Sequence, residues 1–118
     1  WTALTTYVSG QTGFQCDGNS DNIAKALASK QFGDESTVDC AAGYDLENNN
    51  ATGFSALAAG YGGDLDNFFS RSANFWSATN DPTDDSMAYY RYIYNIEPGV
   101  TANTYRKECS FSVRCLKD

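Results

Sequence analysis

The apolar residues change their period near Gly53, and that change constrains the fold more than any other feature of the chain. Before it the spacing is helical. "WTALTTYVSG" puts Trp1, Leu4 and Val8 on one helical face, with Gly10 placed to stop the helix. "SDNIAKALASKQFG" reads as a second helix over 20–33. Ser20 or Asp21 would cap it, Ile23, Ala26 and Leu27 would face inward, Lys25 and Lys30 lie toward its end, and Gly33 would terminate it. Residues 34–52 are polar and Asn-rich, a loop. After Gly53 come short strand-like pieces punctuated by Gly, Asn, Asp and Pro: "FSALAAGY", "NFWSAT", "MAYYRYIYNI", "VTANTY" and "SFSVRCL". Helices first and strands afterwards predict an α+β fold, two helices packed on a small antiparallel sheet. At 118 residues this is one domain over 1–118, with a helical part, 1–52, and a strand and loop part, 53–118.

The strand "MAYYRYIYN" carries four tyrosines in nine positions and looks worth burying on both sides. With a period of two, Tyr89, Arg91 and Ile93 share one side, the expected buried one. Tyr90, Tyr92 and Tyr94 share the other, the expected binding face, because tyrosine offers rigid contact area at low entropic cost. Arg91, lodged among aromatics, reads as stacked or ion-paired within the fold, and Trp76 as a core anchor.

Charge and residue usage remove whole classes of function. The net charge of −7 and eight scattered basic residues argue against nucleic acid as a partner. No stretch approaches eighteen apolar residues, so no membrane-inserted segment is expected. With no histidine, Ser-His-Asp and Cys-His catalysis and the usual zinc sites are out of reach. The four cysteines, 16, 40, 109 and 115, form no CxxC pair, and their even number favours disulfides and export from the cell. Cys16 and Cys40 flank the second helix and its following loop, and a Cys16–Cys40 bridge closes that loop easily. A Cys109–Cys115 bridge is geometrically poor: six residues of strand span about 20 Å, and a disulfide needs Cα atoms within about 7 Å.

"IAKALASK", "ATGFSALAAGY", "ANFWSAT", "AYYRYIY" and "SFSVRCLKD", in that order, resemble the Fibrobacter succinogenes major paralogous domain family over nearly the whole chain. The resemblance implies that a cysteine-bearing segment precedes Trp1 and that its cysteine pairs with Cys115. It also supports the Cys16–Cys40 pair; Cys109 is a departure from the family pattern. The family is similar to C-type-lectin-like domains, which implies a twisted sheet with long loops presenting a ligand surface. It is similar as well to formylglycine-generating enzymes, whose chemistry rests on a cysteine-based metal site.

The expectation is therefore a secreted or cell-surface recognition domain, not an enzyme. Its partner would be a glycan or protein ligand on another surface, met through loops 62–72, 80–88 and 95–109. Tyr90, Tyr92, Tyr94, Asn80, Asp81, Asp84 and Asp85 are the candidate ligand-binding residues. Asp64, Asp66, Asp81, Asp84 and Asp85 form an acidic cluster of the kind that supplies oxygens to calcium. The calcium-lectin motifs are absent as such, though, and a solvated acidic loop is the plainer reading. No cofactor other than calcium is implied. The alternative is a structural subunit of a pilus, filament or other surface appendage, with self-association through the tyrosine face.

Overall fold

A computed structural model describes residues 1–63 and 68–115. Helix α1 spans Thr2–Ser9 and buries Val8. Trp1, at its start, meets Phe54 and Phe75 with ring centroids 5.6 and 5.4 Å away, and Phe54 meets Phe75 at 5.7 Å. Gly10 ends the helix in a right-handed conformation (φ −78°), so no left-handed cap is needed there.

The helix expected over 20–33 forms a single turn, α2, Ala24–Leu27. Helical continuation would require its carbonyls to accept from the next turn, but more distant segments claim them first. The amides of Asn50, Thr52 and Ala56 donate to the carbonyls of Lys25, Ala26 and Leu27 at 2.8, 3.1 and 2.9 Å. Ser29 N donates to Ala56 O at 2.7 Å, and Ala28 is already extended. Neither Ser20 nor Asp21 caps the turn; Ala24 N instead donates to the Pro98 carbonyl at 2.9 Å. The inward set holds all the same, with Ile23, Ala26 and Leu27 all buried. Gly33 closes no helix. It sits at φ +135°, where a Cβ would overlap the Ser70 carbonyl.

Three strands make one antiparallel meander: β1 Ser72–Asn80, β2 Met87–Tyr94 and β3 Val100–Arg106, with β2 in the middle. Ser72, Asn74 and Trp76 stand opposite Tyr94, Tyr92 and Tyr90, and the register shifts between Trp76 and Asn80. The face bearing Ala73, Phe75 and Ile93 joins Val8, Ile23, Leu27, Phe32 and Ala56 in the core, with Val100 packed against it. The pieces 54–61 and 110–116, expected as strands, make only isolated bridges within the described residues: Ala28 with Ala56, Gly60 with Ala73, Gly62 with Ser110, and Phe75 with Ser112. Each segment changes partner every few residues, so no ladder grows. Among the described residues no helix is long and apolar enough to cross a membrane.

A disulfide joins Cys16 to Cys40 (Cα–Cα 5.6 Å) and fastens loop 34–52 beside α2. Buried Asn49 adds to this, its Nδ2 donating to the carbonyls of Ser29 (3.1 Å) and Ala42 (2.8 Å). The same loop reaches the β2–β3 turn: Gly43 N donates to Asn95 O at 2.9 Å and Ala42 N to Glu97 O at 3.3 Å. With few regular elements to order this half, the crosslink matters. Closing a loop of this length constrains the unfolded chain by roughly 3 kcal/mol. The Cys16→Ala/Cys40→Ala variant is expected to lose about that much stability in urea unfolding; an unchanged midpoint would show that the bridge is dispensable.

Candidate functional site

Alternation along β2 separates its side chains as the pleat requires. On the core side Ile93 is fully buried, whereas Tyr89 and Arg91 are only half-buried. Here the helical layer stops, and Trp1, Thr2, Ser77, Thr79, Tyr89 and Arg91 line a shallow hollow. Arg91, expected to be stacked or ion-paired, makes one long hydrogen bond, 3.4 Å from Nη1 to the Tyr90 carbonyl.

The tyrosine face is no open platform. Tyr90 lies among Trp76, Tyr92, Tyr105 and Phe111, 4.7 Å from Phe111 and stacked on Tyr92 at 5.7 Å. Tyr94 meets Phe68 edge-on at 5.9 Å, and Phe68 stacks on Tyr61 at 5.8 Å. Two aromatic walls result, Tyr90–Tyr92 and Tyr61–Phe68–Tyr94, joined through Phe111, which meets both Tyr90 (4.7 Å) and Tyr61 (5.5 Å). Among the described residues no ring contact joins Tyr92 to the second wall. Between the walls is a cleft of about 230 Å³, floored by Ser72 and Asn74 and flanked by Glu97. The Asn74 Nδ2 donors are spent on Gly60 O (3.2 Å) and Ser72 Oγ (2.7 Å). The hydroxyls of Tyr61, Tyr90, Tyr92 and Tyr94 have no hydrogen-bond partner among the described residues. Burial, with Tyr92 and Tyr61 alongside, pushes the Tyr90 phenol above its ordinary value.

Asn80, Asp81, Asp84 and Asp85 lie apart from this cleft, at the β1–β2 turn. Asn80 is exposed and pairs with Ala88. Asp81 Oδ1 accepts from the Thr83 hydroxyl (2.7 Å) and amide (2.8 Å), and Asp84 Oδ1 does the same with Ser86 (2.6 and 2.9 Å). The hydroxyl bonds first, then the amide bonds, hold both carboxyls below the ordinary aspartate range. These are side chains shaping their own turns. They are not gathered into one ligand set among the described residues, and Asp64 and Asp66 lie outside those residues.

The one described convergence of potential metal ligands is Cys16, Asp17 and Cys40, where the two sulfurs are already bonded to each other. Cys109 is buried, Cys115 exposed, and both are free. A larger hollow, about 670 Å³, lies among Trp1, Leu4, Phe54, Trp76 and Arg114. Its guanidinium is occupied, stacked 4.2 Å over Phe54 and bonded to the Phe54 carbonyl at 2.8 Å.

Sequence reading named three cleft residues, Tyr90, Tyr92 and Tyr94, and covered Phe68, Ser72 and Glu97 only as members of the ligand-meeting loops 62–72 and 95–109; Tyr61 and Asn74 it missed. The period of β2 found the named three. Ser72 and Asn74 lie on β1 opposite Tyr94 and Tyr92, whereas Tyr61, Phe68 and Glu97 come from segments whose approach depends on single bridges and turns, for which the sequence carries no periodic signal.

The family model of the Fibrobacter succinogenes major domain matches residues 1–117. No curated protein and no solved structure matches the chain.

The raised Tyr90 value has a consequence for alkaline stability. Below the unfolded phenol value, about 10, both states are neutral and nothing is lost. Above it the unfolded chain ionises while the folded phenol resists, so stability falls as pH rises toward the folded value. Tyr90→Phe is expected to flatten that fall while leaving neutral-pH stability nearly unchanged, as read by denaturant midpoints across an alkaline pH series. Equal slopes in the two proteins would contradict it.

Proposed function

For a chain that belongs to the Fibrobacter succinogenes major domain family, we propose a role as a recognition module of the C-type-lectin-like kind. It is secreted or held at a cell surface, and it binds a glycan or protein ligand of another surface without catalysis. The reading rests on one observation: the tyrosine cleft combines rings that pack on one another with hydroxyls that find no hydrogen-bond partner among the described residues. Rigid aromatic area with free polar tips costs little entropy to bring to a ligand. The resemblance of the sequence motifs to a lectin-like family and the Cys16–Cys40 disulfide agree with it.

A Tyr90→Phe/Tyr92→Phe/Tyr94→Phe variant keeps the ring packing and removes only the hydroxyls. On arrays of glycans and surface proteins, wild-type protein is expected to bind at least one class, and the variant to lose about tenfold or more in affinity, the scale of one or two hydrogen bonds. Undiminished binding by the variant would place recognition elsewhere, and silence of the wild type would remove the reading.

A second reading is a building block of a surface appendage. Leu57 and Phe69 favour it: they flank the bonded pair Ala58–Ser70 (3.1 Å) and remain 55% and 63% exposed. In that case light scattering should show association that rises with concentration and falls on Phe69→Ser substitution. A clean monomer at high concentration would count against it.

A further inference from the structure

The chemistry of the tyrosine cleft is more specific than its aromatic content. Among the described residues, Glu97 is the one charged side chain lining it. It makes no side-chain hydrogen bond or ion pair among the described residues, while its backbone is held by Tyr94 O (3.1 Å) and Ala42 N (3.3 Å). A half-buried carboxylate on a held backbone thus lines an aromatic hollow, with no ion-pair partner among the described residues.

The polar inventory is lopsided. Asn74 has spent both amide donors, and neither lysine nor arginine lines the cleft. Among the described lining residues no amide or guanidinium donor remains free. What remains among the described residues is the carboxylate, the Asn74 side-chain oxygen, the Ser72 and phenol hydroxyls and the negative faces of the rings. The Phe68 and Tyr94 rings stand 80° apart, and the stacked rings of Tyr90 and Tyr92 line the same shallow space. Ring faces attract cations, most of all when the cation is poorly hydrated, as alkylated ammonium groups are. The volume, about 230 Å³, is below the roughly 300–1,000 Å³ of ordinary drug-sized pockets and suits a compact head group. The chain's net charge of −7 raises the local concentration of cations in the same direction.

We propose that the cleft seats the alkylated ammonium group of a small organic cation of about choline's size, its methyl groups against Tyr92, Tyr94 and Phe68 and its charge balanced by Glu97. This rests on the reading of the cleft as a ligand site and names the chemistry that the site selects.

The test is titration of the intact chain with choline and with tetramethylammonium at matched ionic strength, followed by tyrosine fluorescence and by ring resonances in NMR spectra. A parallel titration uses the neutral isostere of choline, in which a tert-butyl group replaces the trimethylammonium. Both cations are expected to saturate and to shift the Tyr92, Tyr94 and Phe68 rings, with the isostere at least several-fold weaker. Glu97→Gln, nearly isosteric and free of side-chain partners to lose, should weaken choline binding by several-fold to about thirtyfold, the range of a desolvated cation contact. Equal binding of the neutral isostere, indifference to Glu97→Gln, or no saturable binding would overturn the assignment. If choline fails while array binding still depends on the tyrosine hydroxyls, the ammonium assignment alone falls. If both fail, the cleft is not a ligand site.

Discussion

The pairing of β2 with a neighbour on each side is the constraint on which the rest depends. Once Ile93 stands opposite Ala73 and Val100, every other residue of β2 is assigned a face. A slip by one position would carry Ile93 out of the core and turn the tyrosines into it, at a cost far beyond any surface contact. The helical half packs on one side of that fixed plane. The rings of Tyr61, Phe68 and Phe111 cover the other, so the middle strand is shielded by hydrocarbon on one face and by stacked aromatics on the opposite one.

Away from the sheet, order comes from long-range backbone bonds in place of regular elements. Buried amides must find partners, and here they find them singly: Asn50, Thr52 and Ala56 on the carbonyls of α2, Ala42 and Gly43 on the β2–β3 turn. Such a network tolerates little displacement. Gly43 shows how little, since a Cβ there would stand 2.7 Å from the Asp34 carbonyl and 2.8 Å from that of Asn95. The small residues Ala24, Ala26, Ala28, Ala41, Ala42 and Ala56 fit the same picture, letting backbones approach closely where larger side chains would hold them apart.

Much of this was legible in the sequence, and the boundary has physical causes. The class, two helices followed by an antiparallel sheet, followed from the switch of period near Gly53, and the β2 faces from its alternation. The inward residues of the second helix were read correctly although the helix is one turn long, because Ile23, Ala26 and Leu27 are buried by the tertiary fold whatever the local backbone does. Its length was misread because propensity is local, whereas the carbonyls of Lys25, Ala26 and Leu27 are claimed from 25 or more positions away. The same limit applies to the cleft. Tyr90, Tyr92 and Tyr94 announce themselves by spacing, but Glu97 and Phe68 reach them only through turns.

The outer edge of β1 is divided among several short pieces of chain. Gly60 N bonds to Ser72 O, Ser112 bridges Asn74 and Trp76, and the Trp1 indole donates to the Trp76 carbonyl at 3.3 Å, after which the register shifts. No run of free peptide groups survives from Ser72 to Trp76 long enough to template a foreign strand. A neighbour seeking to extend the sheet there would have to evict the segments at Trp1, Gly60 and Ser112 at once. Contacts of this molecule along that edge must therefore be made by side chains, which makes them separable, residue by residue, from the backbone that holds the fold together.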